Sequence, residues 1–245
     1  MTISDVQIID RLKIKPTDRV LDVGGSAKQH NEIQVDTILD LVRPEKTPYQ
    51  SSKLKAKNFV QVDIARQKFP FQDKEFDVCL CTHTLEDIYN PFLAIDEMSR
   101  VAKRGFIATP SRGREMEFSH FNLTDWQTGP RRLPGFSHHF WLFENRGEAM
   151  SIVPKNYPLL YSGDFHITKW TGDEEFRFFW QNKIKYKVFN PTNFHELIKE
   201  YQRFLSENKQ FIKKGPVLFY FDNPLYYFKE IIKTLIWNSC PNYSK

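Results

Sequence analysis

Glycine and aspartate residues follow or end short apolar segments in the first part of the chain. They are Asp22, Gly24, Gly25, Asp40 and Asp63. Paired glycines let the chain turn sharply and let its backbone approach a ligand without interference from a Cβ atom. Carboxylates at strand ends accept hydrogen bonds from hydroxyl and amino groups, as they do in nucleotide-binding sheets. These residues predict a nucleotide-like ligand, although each aspartate could instead serve as a cap or a solvated turn residue.

Short buried strands must position these residues. The apolar segments are residues 20–23, 37–39, 58–62, 76–82 and 106–108. Continuous apolar runs suit strands that are covered on both faces, as in parallel sheets. We therefore predict an α/β fold, with a Rossmann-like, mostly parallel sheet and a β-rich and helical C-terminal elaboration.

Helices are predicted at only some of the connections. Ser4 and Gln7 have the spacing of a capping box before a short N-terminal helix, and Asn90 with Pro91 starts an amphipathic helix that ends near Gly105. The polar segment 26–34 is too short for a crossover helix, because a parallel connection normally takes about a dozen residues or more. The first crossover is predicted to be a loop or a single turn.

The second half of the chain is rich in aromatic residues and has a different pattern. Five β segments are predicted, at residues 140–143, 150–153, 165–168, 176–180 and 184–189. Asn193 caps a further helix, and residues 224–237 form a last amphipathic helix. The expected organisation is a core at 1–110, a lid with β segments that complete the sheet at 111–192, and a helical region at 193–245.

Composition and charge argue against several classes of protein. The 245 residues are 40% hydrophobic and carry a net charge of +5 that is spread along the chain, without the dense basic stripe of a nucleic-acid binder. The N-terminus lacks a signal-peptide pattern and no apolar stretch approaches ~20 residues, so a cytoplasmic protein is expected. Lys and Trp residues in the last predicted helix would also suit weak contact with a membrane surface. The pair Cys79 and Cys81 is interpreted as buried thiols, and nothing indicates an oligomeric state.

The order of these motifs resembles a known enzyme family. The segments VLDVGGS, TILDL, FVQVDI, FPFQDKEFDVCLCTHTLEDIYNP and AIDEMSRVAKRGFIATPS are similar to class I S-adenosylmethionine-dependent methyltransferases, in the branch called type 11. The resemblance covers about residues 18–112 and is most specific at 69–111. Gly24-Gly25 replaces the common Gly-x-Gly-x-Gly loop, and Glu86-Asp87 replaces the usual Glu-His pair.

The resemblance implies S-adenosylmethionine as the cofactor and a role for each strand-end residue. The turn at Gly24 would let the methionine portion pass close to the backbone, and Asp22 would assist the ammonium group directly or through water. Asp40 would accept hydrogen bonds from both ribose hydroxyls. Asp63 would accept from the adenine amino group, with Ile64 packed on the ring.

Two histidines are the catalytic candidates. His83, at the tip of the fourth strand, would face the reacting methyl group, or it could merely bond a neighbouring backbone group. His139 would contact the substrate, and Glu86 is interpreted as a structural hydrogen-bond partner. The adjacent His138 and His139 would point in different directions on a strand, so no metal site is predicted.

The expected activity is methyl transfer to a small-molecule, carbohydrate or lipid-linked acceptor. A noncatalytic binding or assembly module on the same fold stays open, because the glycine loop is short and the first crossover helix is missing. A nicotinamide-dependent oxidoreductase is disfavoured, because the sequence lacks Gly-x-Gly-x-x-Gly followed at once by a helix.

Overall fold

The computed structural model describes residues 2–47, 52–119, 133–136, 138–160, 165 and 167–213. The helix predicted at 224–237 lies outside the described residues. The helices are α1 (Asp5–Leu12), α2 (Pro91–Val101), α3 (Arg112–Met116), α4 (Tyr157–Leu160) and α5 (Phe194–Glu207), with 3₁₀ turns at Pro44–Lys46 and Lys209–Phe211. The strands are β1 (Val20–Val23), β2 (Thr37–Asp40), β3 (Asn58–Gln61), β4 (Phe76–Thr82), β5 (Ala102–Pro110), β6 (Phe118–Ser119), β7 (Leu133–Pro134), β8 (Trp141–Arg146), β9 (Ala149–Pro154), β10 (Lys169–Trp170), β11 (Glu175–Gln181), β12 (Tyr186–Val188) and β13 (Ile212–Lys213). None of the described helices combines the length and apolar character needed to cross a bilayer.

Two compact units alternate along the chain. The first unit consists of Met1–Arg112, His139–Lys155 and Asp173–Asn190. The second unit consists of Gly113–His138, Asn156–Gly172 and Pro191–Lys245. All of the strand-end residues singled out from the sequence belong to the first unit.

The first unit is built on a six-stranded sheet in the order β11-β5-β4-β1-β2-β3. Strands β1 to β5 pair in parallel, and β11 pairs antiparallel with β5. This is a Rossmann-like α/β sheet, and the predicted fold class is confirmed. β1 has β2 on one side and β4 on the other, so the direction of the strand order reverses there. In open α/β sheets, ligands bind outside the carboxyl ends of the strands at such a switch point.

Both faces of this sheet are covered, which explains the continuous apolar runs. Alternate residues of β4 enter different hydrophobic clusters: Cys79 and Cys81 pack with the cluster that includes Ile95 of α2, and Val78 with the cluster that includes Ile8 of α1. The side chains of Val78, Cys79, Cys81 and Ile95 are fully buried. The two cysteines are free thiols in the core, as the sequence indicated.

The two helices of the first unit differ in how well their ends were predicted. Ser4 and Gln7 form the full capping box at the start of α1. Asn90 makes no side-chain cap bond at α2, although Pro91 is the first helical residue. The prediction that α2 ends near Gly105 was wrong, because the helix ends at Val101 and the chain enters β5 directly at Ala102.

The remaining strands form smaller groups. In the first unit, β12, β9 and β8 make a three-stranded sheet. In the second unit, β6 pairs with β7 and β10 with β13. The strand predicted at 165–168 is replaced in the described residues by a single bridge at Ile167, and the ladder begins at Lys169. In α5, the cap at Asn193 is confirmed.

Candidate cofactor and acceptor site

The end of β1 turns tightly over a buried carboxylate. Gly24 has φ +77°, and a Cβ atom there would overlap the side chain of Thr84. A Cβ atom at Gly25 would overlap the carboxylate of Asp22, which is 1% exposed. Glycine is therefore required at Gly24 by conformation and by space, and at Gly25 by space.

Several buried polar atoms at the switch point lack a hydrogen-bond partner among the described residues. They are both carboxylate oxygens of Asp22, Oγ of Ser26, Nε2 of His30 and Oε2 of Glu86. An unpaired buried polar atom costs roughly 1–3 kcal/mol, more when it is charged. The concentration of such atoms beyond β1 and β4 indicates a place where a polar ligand or water completes the bonding.

Asp22 carries the clearest sign of this incomplete environment. Burial raises the pKa of Asp22 to about 6. The nearby His30 opposes this rise, whereas the carboxylates of Asp40 and Asp5 add to it. A cation bound against Asp22 would relieve the cost of burying its charge.

Asp40 is the last residue of β2, and Asp63 lies two residues after the end of β3, which stops at Gln61. Oδ2 of Asp40 accepts from the backbone N–H of Ser26 at 3.0 Å, and Oδ1 accepts from that of Leu41 at 2.6 Å. Oδ1 of Asp63 accepts from the backbone N–H of Ala65 at 3.1 Å. A carboxylate offers about four acceptor positions, so each group retains capacity for a ligand. Ile64, beside Asp63, is 6% exposed.

His83 sits between two carboxylates immediately after β4. Its Nε2 lies 3.2 Å from Oε1 of Glu175, and its Nδ1 lies 3.5 Å from Oε1 of Glu86. Its backbone has φ +52°, a conformation that non-glycine residues seldom adopt and that often marks functional positions. The backbone N–H of His83 donates to the carbonyl of Ala108 at 2.8 Å, which fixes the residue against β5.

The charge of His83 follows from these neighbours. Partial burial favours the neutral ring, but Glu175 and then Glu86 outweigh it and raise the pKa of His83 to about 9. Glu175 is itself held by the backbone N–H of Ile3 at 3.0 Å and by Nε of Arg177 at 2.9 Å. The imidazole is therefore a positively charged hydrogen-bond donor at neutral pH.

A cavity adjoins His83 on the side of α1. It opens to solvent and is lined by the start of the chain, the loop at 28–31, the end of β4 and Glu175. Asp5 and His30 lie on its wall, and their side chains are joined by a 2.6 Å bond from His30 Nδ1 to Asp5 Oδ1. The sequence reasoning missed this pair and Glu175. The capping box at Ser4 fixes Asp5 in the first turn of a helix, but no local pattern indicates that His30 reaches it.

His139 and Arg112 have partners of their own. Nε2 of His139 lies 3.2 Å from Oδ1 of Asp87, and the residue is 5% exposed. Arg112 is 1% exposed and pairs with Glu144 at 3.1 Å.

The residues at these strand ends fit an adenosine that carries a charged amino-acid tail. Asp22 supplies a buried carboxylate without a protein partner among the described residues, which matches an ammonium group. Asp40 ends β2 and Asp63 follows the neighbouring strand β3, where Leu39 pairs with Val60, and the two carboxylates supply acceptors for hydroxyl and amino groups. S-adenosylmethionine has this set of groups.

Comparison with known proteins agrees with this geometry. Residues 21–108 match the family model described as a methyltransferase domain of type 11. No protein with a curated description matches the chain.

Solved structures with partial similarity include three S-adenosylmethionine-dependent methyltransferases. The one from Methanosarcina mazei is 20% identical with a TM-score of 0.34, covering 46% of this chain and 60% of that chain. The one from Aquifex aeolicus is 19% identical with a TM-score of 0.31, covering 44% and 64%. The one from Thermotoga maritima is 17% identical with a TM-score of 0.35, covering 47% and 53%. The chain thus spans less than two thirds of each of these proteins.

The sequence match, the strand order and the glycine turn over Asp22 agree with one another. The cofactor of such a domain is S-adenosylmethionine. Residues 21–108 therefore form a class I S-adenosylmethionine-dependent methyltransferase domain.

Proposed function

We propose that this protein transfers a methyl group from S-adenosylmethionine to a small-molecule, carbohydrate or lipid-linked acceptor. One observation carries the proposal: the carboxylate of Asp22 is buried at the switch point of the sheet and has no partner among the described residues. Such a group is costly without a ligand and fits the ammonium of the cofactor.

The other cofactor contacts follow from the strand ends. The backbone at Gly24 and Gly25 forms the turn beside the methionine portion. Asp40 accepts from the ribose hydroxyls, and Asp63 accepts from the adenine amino group while Ile64 covers the ring. Since methyl transfer from a sulfonium is an in-line displacement, the main contribution of these residues is to position the reactants.

His83 and His139 are assigned to the acceptor side. His83 is positively charged and both of its ring nitrogens face carboxylates, those of Glu86 and Glu175, so it presents charge to the acceptor side and does not remove a proton from the acceptor. His139, next to Asp87, offers a second polar contact for the substrate. The cavity beside His83 provides the space in which an acceptor would bind.

Isothermal titration calorimetry with S-adenosylhomocysteine tests this proposal. The wild-type chain should bind, and Asp40→Ala should weaken binding about tenfold or more, because a hydrogen bond to a charged group contributes roughly 1.5–3 kcal/mol. Asp36→Ala is the matched control. Asp36 immediately precedes the same strand at its amino end, where its side chain accepts from the backbone N–H of Val20 at 2.8 Å. No binding by the wild type, or equal losses in both variants, would contradict the proposal.

A noncatalytic binding module is the second candidate. It is favoured by Asp40, whose two oxygens already accept the backbone N–H groups of Ser26 and Leu41. In that case Asp40 stabilises the loop after β1 and takes no ligand. The two functions differ in one result: Asp40→Ala would lower thermal stability in a module and leave partner binding intact, whereas it would remove cofactor binding in an enzyme.

A further inference from the structure

We propose that Asp5 and His30 form a proton-accepting dyad and that the methyl acceptor is a hydroxyl compound. This inference rests on the proposed function, because it assigns the proton transfer that accompanies methylation. Asp5 lies in α1, outside the segment 21–108 that matches the family model, whereas His30 lies inside that segment.

Asp5 is held rigidly and presents one oxygen to His30. Its Oδ2 accepts from the backbone N–H groups of Asn31 at 2.7 Å and Glu32 at 2.9 Å. Its Oδ1 lies 2.6 Å from Nδ1 of His30. Because the carboxylate is fixed by two backbone bonds, it determines the orientation of the imidazole ring.

The pairing also determines which ring nitrogen can accept a proton. An ionised carboxylate only accepts hydrogen bonds, so Nδ1 of His30 must carry the hydrogen that faces Asp5. In the neutral ring this leaves a lone pair on Nε2. That atom is buried and has no hydrogen-bond partner among the described residues. The fixed tautomer thus leaves Nε2 as the one ring atom able to accept a proton, as a general base requires.

Position and elimination favour His30 over His83 for this role. Both residues line the cavity at the end of β4, and Thr82 lies on the same wall. Both ring nitrogens of His83 face carboxylates, at 3.2 Å and 3.5 Å, so it has no free acceptor atom. The other charged groups near His30 are Asp22 beneath the glycine turn and Lys28 on the cavity wall.

A base is most useful when the nucleophile must lose its proton as it attacks. A hydroxyl is such a nucleophile, whereas a neutral amine can attack with its lone pair and lose a proton afterwards. The acceptor oxygen forms a bond to the methyl carbon as the carbon–sulfur bond breaks, and that electron pair remains on the sulfur. The hydroxyl proton passes to Nε2 of His30, where Asp5 stabilises the imidazolium, and then to solvent.

The dyad can be tested without turnover. Nitrogen-labelled NMR of the ligand-free chain at about pH 8 should show His30 with hydrogen on Nδ1 and a lone pair on Nε2. His30→Gln assigns the signal, and Asp5→Asn should reduce the preference for this tautomer. The opposite tautomer, or a ring that is doubly protonated at this pH, would overturn the inference.

Methyl transfer then tests the acceptor class. The probes are S-adenosylmethionine with an isotopically labelled methyl group and a small-molecule cell extract, and NMR of the product identifies the atom that carries the label. We expect an oxygen-bound methyl group. His30→Gln should lower the transfer rate by about 100-fold, while S-adenosylhomocysteine affinity changes by less than about threefold. His195→Gln, at an exposed histidine of α5, is the matched control and should change neither.

The outcomes separate this inference from the proposed function. Label on nitrogen, carbon or sulfur, or full activity of His30→Gln, would overturn the dyad and leave the methyltransferase proposal intact. Equal losses of transfer and of S-adenosylhomocysteine binding would also overturn it, because His30 would then serve the cofactor. No binding of S-adenosylhomocysteine by the wild type would overturn the proposed function and the dyad together.

Discussion

Gly25 lies so close to Asp22 that a Cβ atom at Gly25 would overlap Oδ2 of the Asp22 carboxylate. The loop after β1 is therefore packed onto a buried acid whose oxygens have no hydrogen-bond partner among the described residues. This single contact links the sequence motif, the turn and the expected cofactor contact. A change at either residue should alter both stability and ligand binding.

Gly25→Ala should remove S-adenosylhomocysteine binding and lower the melting temperature. The added methyl group has to displace either the loop backbone or the Asp22 carboxylate, and strain of this kind typically costs 1–3 kcal/mol. Calorimetry and thermal unfolding measure the two effects. Gly147→Ala is the control, because a Cβ atom at Gly147 would meet nothing within 4 Å. This variant therefore measures only the backbone strain caused by the φ of +62° at Gly147. Binding by Gly25→Ala at wild-type affinity would contradict the packing.

Asp22→Asn should stabilise the ligand-free protein at neutral pH and weaken cofactor binding. The pKa of Asp22 is about 6 in the folded chain and 3.8 for an unperturbed carboxyl. The folded state thus binds more protons between these values, so stability falls as pH rises through this window. Removing the charge should raise the free energy of unfolding by at most about 3 kcal/mol above pH 6. The gain should become smaller as pH falls towards about 4. Urea unfolding at several pH values measures this gain.

Asp36→Asn is the matched control for that gain. It removes the charge that pairs with Lys57 at 2.6 Å, so it should produce no stabilisation at any pH. A gain of equal size in both variants would mean that the loss of any one carboxylate charge, and not the burial of Asp22, is responsible.

Binding of S-adenosylhomocysteine should weaken as pH falls below about 6. The ammonium of the ligand needs the ionised form of Asp22, whose pKa burial has raised to about 6. Below that value affinity should drop by about tenfold per pH unit. Titrations between about pH 5 and pH 8 measure it. Flat affinity across this range would show that Asp22 does not contact the ammonium.

His83→Gln should lower stability most at low pH. The pKa of His83 is raised to about 9 from 6.5, so its ion pairs contribute fully below 6.5 and are lost as pH rises through 9. Because the side chain is 40% exposed, solvent screening should limit the effect to about 1 kcal/mol. The difference in unfolding free energy between wild type and variant should therefore become smaller as pH rises. A difference that does not depend on pH would mean that His83 is not charged.

The sequence predicted the elements of the first unit better than the contacts between them. Strands β1, β2 and β4 followed from apolar runs that end in Asp22, Asp40 and His83, since such runs depend only on burial on both faces of the sheet. The site depends on longer-range geometry. Glu175 reaches His83 across 92 residues, because β11 pairs antiparallel with β5 and places Glu175 opposite Pro110.

The pairing of Asp5 with His30 could not be predicted from the sequence for a related reason. It needs the capped first turn of α1 and a loop after β1 that contains no helix, and both were predicted separately. Their contact, over 25 residues, is a property of how the two segments pack. No periodicity or local motif encodes such a distance.

A crystal structure of the full chain with S-adenosylhomocysteine tests the central claim most directly. We expect the amino group of the ligand against Asp22, directly or through one water, with the ribose at Asp40 and the adenine between Asp63 and Ile64. A ligand bound elsewhere, or Asp22 still buried without contact in a saturated crystal, would contradict the account.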